Sequence, residues 1–225
     1  MKTVVFFDVD GTLLKGNINA SILRRVYATG HASPVLILRA LFWYALWVLG
    51  LYRNLSVLAE KGARELRGIK ETTLQKILDD AFDEYIKPKI YKEAEEIIIT
   101  HQKKGHLVIL LSSSYEPFVR KVAVFMGISD VIATRLETKN GIYTGRIAGE
   151  VVGGNKHAIV SEYQKNHSPV ESYAYTDHDQ DIPMLELVTH PVATNPTPRL
   201  KSFARKASWS VLMFSKTYEG AYPAY

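Results

Sequence analysis

The stretch Lys2–Thr12 reads KTVVFFDVDGT, an apolar run that ends in two carboxylates, a glycine and a threonine. A run of this length that is rich in Val and Phe is typical of a buried strand in a parallel sheet. Asp8 and Asp10 stand two residues apart, so their side chains project to the same side of an extended chain. Ligands of open α/β sheets bind beyond the carboxyl ends of the strands. The stretch therefore predicts a nucleophilic oxygen, a second carboxylate for proton transfer and charge for a divalent cation, although Asp and Gly also form ordinary turns.

Composition narrows the classes of protein to which the chain can belong. Its 225 residues are enough for one large domain with an insertion, and 47% of them are hydrophobic, as in soluble globular proteins. The absence of cysteine excludes disulfides, zinc–thiolate sites and thiol nucleophiles, and it fits a reducing cytoplasm. The net charge of +5 is spread along the chain without a basic block, so we expect no nucleic-acid partner. Met1 leads directly into the first strand, so we expect no cleavable signal peptide and a cytoplasmic location.

The pattern of apolar residues divides the chain into three parts. Residues 15–89 contain helical patterns only, whereas helices and strands alternate from Tyr91 onward, as in a parallel sheet covered by helices. We expect a doubly wound, Rossmann-like α/β core formed by residues 1–14 and 90–215. An all-helical cap at 15–89 would be inserted between its first two strands, and residues 216–225 would form a tail.

Polar residues follow a second predicted strand, His106–Leu111. Ser112, Ser113 and Ser114 stand at the turn into a helix that begins near Glu116. Hydroxyls and free backbone amides at such a turn suit an anionic oxygen, with the helix dipole assisting. The alternative is that these serines only cap the helix.

A single lysine starts another predicted helix in the sequence Gly153-Gly154-Asn155-Lys156. A cation is unfavourable at a helix N-terminus, so Lys156 indicates a nearby anion. The sequence is not a phosphate-binding loop of the Walker A type, because no Ser or Thr follows the lysine. A solvated surface lysine is the alternative.

Three acids in five residues, Asp177, Asp179 and Asp181, follow the predicted strand Ser172–Thr176. In a parallel sheet they would lie at the same edge as Asp8, where oxygen ligands suit a hard divalent cation. The spacing does not match an EF-hand loop. The alternative is a polar turn that caps the helix starting at Ile182.

The order of these four motifs resembles the haloacid dehalogenase superfamily. It is similar in particular to the phosphoserine-phosphatase-like branch, in which a helical cap lies between the first and second motifs. The segments Ser112–Phe118, Asn140–Gly145 and Asp181–Leu185 also look like that branch. The resemblance covers roughly residues 2–210.

The resemblance implies a phosphatase that hydrolyses phosphate monoesters through an aspartyl-phosphate. Asp8 would be the nucleophile, and Asp10 would protonate the leaving oxygen and later activate water. Phosphate would be bound by Ser112, Ser113, Lys156 and Gly11. Mg²⁺ would be bound by Asp8, Asp177 and the Asp10 backbone carbonyl. Asp181 would bind the ion through a water molecule or would hydrogen-bond to one of its ligands. The implied substrate is phosphoserine or a similar small phosphate. One departure is His178, where relatives usually carry a small residue; we expect it to face solvent rather than to line the entrance.

The segment Val35–Tyr52 is the least expected part of the cap, with eighteen residues and one charge. A membrane span here would separate Asp8 from the later motifs, so we do not expect one. A buried cap helix or homodimer interface is the favoured interpretation. The others are a helix at the inner membrane surface, with Trp43 and Trp47 at headgroup level, and a pocket for a lipid tail.

Two further functions stay open because of that segment. One is a lipid-phosphate phosphatase that acts at the membrane surface on phosphatidylglycerophosphate or lysophosphatidate. The other is a non-catalytic membrane or partner-binding module on a phosphatase scaffold. The intact set of Asp8, Asp10, Lys156 and Asp177 argues against the second.

Overall fold

The computed structural model describes residues 3–19, 21–22, 38, 42, 55–150 and 152–218. The strands are β1 (Val4–Phe7), β2 (Leu107–Tyr115), β3 (Asp130–Thr134), β4 (Leu136–Lys139), β5 (Ile142–Ile147), β6 (Ser172–Thr176), β7 (His190–Thr194) and β8 (Ser210–Leu212). Six of them form one sheet in the order β3-β2-β1-β6-β7-β8, and every neighbouring pair in it is parallel. The predicted α/β class is confirmed.

Strand β1 lies between β2 and β6 near the middle of the sheet. Val5 and Phe7 belong to the hydrophobic cluster on one face, and Val4 and Phe6 belong to the cluster on the other. All four side chains are buried, because helices cover both faces. This explains why the strand is a continuous apolar run rather than an alternating one.

The helices described are α1 (Leu55–Glu65), α2 (Glu71–Ala81), α3 (Lys92–Lys103), α4 (Glu116–Phe125), α5 (Lys156–His167), α6 (Ile182–Leu185) and α7 (Pro198–Lys206). A π-helical turn (Phe82–Ile86) and a 3₁₀ turn (Lys87–Lys89) follow α2. The helices α1 and α2 and the two turns up to Lys89 lie between β1 and β2 in the sequence, as predicted for the cap. The exact boundaries of the cap stay a prediction.

The predicted Val35–Tyr52 segment lies outside the described residues except for Leu38 and Phe42, which are helical and exposed. Among the residues that are described, no helix is both long enough and apolar enough to cross a membrane. The choice between core, interface, lipid pocket and membrane contact therefore stays open.

The β4–β5 hairpin turns at Asn140 and Gly141, which both have positive φ, as expected for an Asn-Gly turn. This hairpin connects the part of the molecule that contains the sheet to the helices inserted between β1 and β2. The Gly68 amide donates to the Tyr143 carbonyl at 2.9 Å, and the Tyr143 amide donates to the Ile69 carbonyl at 2.9 Å. The link between α1 and α2 is thus paired with β5.

Three elements differ from the sequence prediction, each because of a tertiary hydrogen bond. Strand β2 does not end at Leu111 but runs through the serines, since Ser112 and Tyr115 pair with β3. The short edge strand β8 was not predicted, and it exists through its pairing with β7. Thr72 and Thr73 are residues typical of a helix cap, but helix α2 begins before them, at Glu71, because the Glu71 amide donates to the Gly141 carbonyl at 2.9 Å.

Tyr115 joins the end of β2 to helix α1. Its buried hydroxyl donates to the Ala59 carbonyl at 2.5 Å. Gly62 lies one turn further along α1, and a Cβ at this position would overlap the Tyr115 hydroxyl. The absence of a side chain at Gly62 therefore allows this contact between α1 and the sheet.

We predict that the effect of Gly62→Ala on stability depends on Tyr115. In a helix interior, Gly→Ala normally stabilises by up to about 1 kcal/mol. Here the methyl group should displace the Tyr115 hydroxyl, and the free energy of unfolding should fall by about 1 kcal/mol. In a Tyr115→Phe background the same change should be stabilising. Urea denaturation of the four proteins measures this coupling, and equal effects of Gly62→Ala in both backgrounds would contradict it.

Candidate active site

The carboxyl ends of β1, β2 and β6 lie side by side at one edge of the sheet. Phe7 pairs with Leu110 on one side and with Tyr175 on the other. This register brings Asp8 next to the end of β6 and places the serines of β2 on the opposite side of it. The motifs predicted from separate parts of the sequence therefore meet at this edge.

A buried lysine connects two of the predicted acids. Lys156 is the first residue of α5, and its Nζ lies 3.0 Å from Asp8 Oδ1 and 2.8 Å from Asp181 Oδ2. The backbone amide of Val9 donates to Asp8 Oδ1 at 2.8 Å, which orients that carboxylate further. All three charged side chains are buried. The structure thus excludes the solvated-lysine interpretation of Lys156.

The acids of this cluster are difficult to ionise when they are buried together. Burial raises the pKa of Asp8 to about 6, and Asp181 and Asp10 add to the rise while Lys156 opposes it. Burial and the charge of Asp8 raise the pKa of Asp177 to about 8. Burial alone would lower the pKa of Lys156, but Asp181 and Asp8 outweigh it, and the net pKa lies above the usual value. The site therefore favours a bound cation.

Asp10 is held from two sides. Its Oδ1 accepts the backbone N–H of Ile18 at 2.6 Å, and its Oδ2 accepts the Ser114 hydroxyl at 2.6 Å. Burial raises the pKa of Asp10, whereas the hydrogen bonds from Ser114 and Ile18 oppose that rise. A carboxyl in this setting is suited to gain and lose a proton.

Gly11 allows the backbone after β1 to approach Asp177. Its φ is +78°, and a Cβ would overlap the Asp177 carboxylate. The Gly11 amide donates to the carbonyls of Leu14 and Gly16 at 2.9 Å each. Glycine is thus required at this position because φ is positive and because a side chain would clash with Asp177. The part of Gly11 in binding phosphate stays a prediction.

The residues present fit the predicted magnesium site. The Asp8 carboxylate is close enough to Asp177 to raise its pKa, and Gly11 lets Asp177 pack against the backbone that follows Asp10. Within the described ranges, no three His, Asp or Glu side chains form a metal cluster. The predicted ligands are the carboxylates of Asp8 and Asp177 and the backbone carbonyl of Asp10. Such oxygen ligands suit Mg²⁺, which usually keeps several waters.

The remaining predicted residues are placed as follows. Ser112 is buried, and its hydroxyl accepts the Ser114 amide at 3.1 Å. The carbonyl of Ser113 accepts the Thr134 hydroxyl at 2.9 Å. His178 is partly exposed, and its Nδ1 accepts the Gln180 amide at 3.2 Å, so the ring caps its own turn.

Two threonines that the sequence interpretation did not assign also contact the site. The Thr176 hydroxyl donates to Asp181 Oδ2 at 2.6 Å and lies 3.4 Å from Asp8 Oδ2. The Thr12 hydroxyl lies 3.5 Å from Asp177 Oδ1. Each threonine directly adjoins a predicted acidic motif. For Thr176, the sequence offered one signal, a polar residue at the end of a predicted buried strand.

We predict that Lys156→Met destabilises the protein strongly and in a pH-dependent way. Removal of one partner from a buried ion pair costs about 3–5 kcal/mol, because the other charges remain uncompensated. A carboxyl whose pKa is higher in the folded state binds protons more tightly there, so acidification should stabilise the folded variant. The loss should therefore be largest near pH 8 and should shrink as the pH falls through about 6, the raised pKa of Asp8.

Chemical denaturation at several pH values measures this loss. Lys165→Met is the matched control, since Lys165 lies on the same helix and is exposed. We expect it to change the unfolding free energy by about 0.5 kcal/mol or less at every pH. A Lys156→Met penalty that is small, or that grows on acidification, would contradict the role of Lys156 as counterion.

Comparison with known proteins identifies the family. The family model described as haloacid dehalogenase-like hydrolase matches residues 5–186, which include all four motifs. One similar curated protein is the phosphoserine phosphatase SerB1 of Mycobacterium tuberculosis. It is 30% identical over 220 residues, which cover 95% of this chain and 71% of the relative.

Solved structures agree on the fold. A protein with unknown function from Bordetella pertussis Tohama I superposes with a TM-score of 0.85 and 26% identity, covering 94% of this chain and 98% of that one. A phospho-aspartyl intermediate analogue of phosphoserine phosphatase has a TM-score of 0.68 at 21% identity, covering 96% and 94%. On the extent of the family match and the arrangement of the four motifs, this chain belongs to the haloacid dehalogenase-like hydrolase family.

Proposed function

We propose that this hydrolase is a Mg²⁺-dependent phosphatase that cleaves phosphate monoesters through an aspartyl-phosphate on Asp8. The observation that carries the proposal is the buried Asp8 carboxylate at the end of β1, 3.0 Å from the Lys156 ammonium. A carboxylate attacks a phosphate dianion only where positive charge screens the approach. Lys156 supplies such charge from the protein, and the relative named phosphoserine phosphatase supports the reaction class.

The residues divide the reaction into two displacements. In the first, an Asp8 oxygen bonds to phosphorus, the phosphorus–ester oxygen bond breaks, and the leaving oxygen takes a proton from Asp10. In the second, Asp10 takes a proton from water, the water oxygen bonds to phosphorus, and the bond to Asp8 breaks. Asp10 thus returns to its protonated form, and inorganic phosphate is released.

Lys156 and the end of β2 would bind the phosphoryl group. The Lys156 ammonium group contacts Asp8 and Asp181. It could therefore also donate hydrogen bonds to phosphate oxygens while it stays next to these two acids. Ser112 and Ser113 offer hydroxyls and amides on the other side of Asp8. Mg²⁺ held by Asp8, Asp177 and the Asp10 carbonyl would neutralise the phosphate charge.

For the substrate we propose phosphoserine or a similar small phosphate. This rests on similarity to the relative named phosphoserine phosphatase. A lipid-linked phosphate is the second candidate, favoured by the exposure of two apolar side chains of the cap, Leu38 (67%) and Phe42 (58%). A screen of purified protein with Mg²⁺ against phosphoserine, other small phosphates and lysophosphatidate in detergent tests both substrates.

We predict that Asp8→Asn abolishes turnover and leaves the fold intact. The amide is nearly isosteric with the carboxylate, but it is a poor nucleophile and a weaker metal ligand. Phosphate release measures activity, and circular dichroism measures folding. Asp130→Asn, at an exposed position of β3, is the control that should retain full activity. Substantial activity in folded, contaminant-free Asp8→Asn protein would exclude the covalent mechanism.

We predict that Asp10→Asn slows turnover by roughly 10²- to 10⁴-fold, the range for loss of a positioned acid–base group. The loss should be smaller for p-nitrophenyl phosphate, whose leaving group needs little protonation, than for phosphoserine. Steady-state kinetics on the two esters measure the difference. Equal losses on both would remove Asp10 from the role of general acid.

We predict that Mg²⁺ raises the melting temperature of the wild-type protein. A ligand that binds only the folded state at 100 times its Kd stabilises it by about 2.7 kcal/mol. Asp177→Asn should lose this shift, and Asp130→Asn should keep it. Thermal denaturation with and without Mg²⁺ is the measurement, and an unchanged shift in Asp177→Asn would place the ion elsewhere.

A further inference from the structure

The residues that surround Asp10 form a hydrogen-bonded chain that extends from the sheet to the start of the cap. Asp10 Oδ2 accepts the Ser114 hydroxyl at 2.6 Å, and Ser114 Oγ accepts the side-chain amide Nδ2 of Asn19 at 2.8 Å. Ser114 is buried near the end of β2, and Asn19 lies in a helical turn that begins at Ile18. Neither side chain belongs to the predicted set of catalytic, phosphate-binding or metal-binding residues.

The chemistry of these groups determines the direction of the chain. The Nδ2 group of Asn19 can only donate, so it donates to the Ser114 oxygen, and the single Ser114 proton is donated to Asp10. Asn19 thus holds the Ser114 hydroxyl with its proton directed toward Asp10.

The position of Asn19 is costly for stability. Its Oδ1 is buried and has no hydrogen-bond partner among the residues that the structure describes. An unsatisfied buried polar group costs about 1–3 kcal/mol. The contact with Ser114 is therefore the interaction that accounts for an amide at this position, and a purely structural role would be better served by an apolar side chain.

The chain also fixes the plane of the Asp10 carboxyl group. Each carboxylate oxygen has about two acceptor sites. Ile18 N–H uses one site on Oδ1, and Ser114 uses one site on Oδ2. These two hydrogen bonds oppose rotation of the carboxyl group and leave its remaining acceptor sites free for proton transfer.

We infer that Ser114 and Asn19 are positioning residues that orient the Asp10 carboxyl for proton transfer to and from the ester oxygen. This inference rests on the proposed function, in which Asp10 is the general acid. Ser114 acts on Asp10 directly, and Asn19 acts only through Ser114. Because both residues are linked to Asp10, both should affect the chemical step rather than substrate binding.

Ser114→Ala tests the first link. We expect kcat for propyl phosphate to fall by about 10- to 100-fold, the effect of a misplaced catalytic group, with little change in KM. For p-nitrophenyl phosphate the fall should be severalfold at most, because that leaving group needs little protonation. Ser114→Thr, which keeps the hydroxyl, should recover most of the rate on propyl phosphate. Equal losses on the two esters, or no recovery in Ser114→Thr while circular dichroism shows a native fold, would overturn the inference.

Asn19→Ala tests the second link without a change in the buried strand. We expect a smaller, severalfold loss of kcat that again depends on the leaving group. Because Asn19 acts through Ser114, the double variant should be no slower than Ser114→Ala alone. Losses that multiply in the double variant would overturn the part assigned to Asn19. Ser202→Ala, at an exposed site on α7, is the control that should match wild type.

The same assays separate this inference from the proposed function. If the wild-type protein hydrolyses none of phosphoserine, propyl phosphate and p-nitrophenyl phosphate, or if Asp8→Asn remains active, the proposed function fails. If the wild type is active and Asp10→Asn shows the leaving-group effect while Ser114→Ala does not, only the positioning role fails.

Discussion

The buried ammonium group of Lys156 is the interaction on which the arrangement of the site depends. The ends of β1 and β6 bring the buried Asp8 and Asp181 together with the partly buried Asp177, at a site where uncompensated charges are costly. Lys156 contacts two of these acids at 3.0 and 2.8 Å. The helix that starts at Lys156 is thereby tied to both strand ends. A cation at a helix N-terminus is unfavourable for the helix dipole, and the two carboxylates offset that cost.

The same cluster carries more negative than positive charge, which links its structure to its chemistry. Burial is the largest cause of the raised pKa values of Asp8 and Asp177, and Lys156 opposes this rise without cancelling it. A divalent cation would complete the compensation, and Gly11 leaves space for Asp177 to approach the backbone beside Asp10. The folded protein is thus less stable at this site than it would be with a cation bound.

Asp10 is arranged differently from Asp8, and this difference fits the two roles proposed for them. Asp8 contacts the ammonium group of Lys156, whereas Asp10 accepts hydrogen bonds from the backbone amide of Ile18 and the hydroxyl of Ser114. The donors to Asp10 come from the entry to the cap and from β2. The orientation of the proposed acid therefore depends on how the inserted segment joins the sheet. The contacts of Tyr115 with α1 and of β5 with the link after α1 stabilise the described part of that junction.

The sequence by itself determined the elements whose signals are local. The apolar runs that precede Asp8 and Asp177 predicted β1 and β6, the pair Asn140-Gly141 is typical of a hairpin turn, and the order of the four motifs indicated the family. Local periodicity and turn chemistry suffice for such features because each depends on neighbours in the chain.

Only the tertiary structure decided the extension of β2 through its serines, the edge strand β8 and the start of α2, since each exists through hydrogen bonds to a distant strand. It also decided which polar residues meet. Asn19 and Ser114 are 95 residues apart and Thr176 and Asp8 are 168 apart, so their contacts follow from the register in which β1 pairs with β2 and β6.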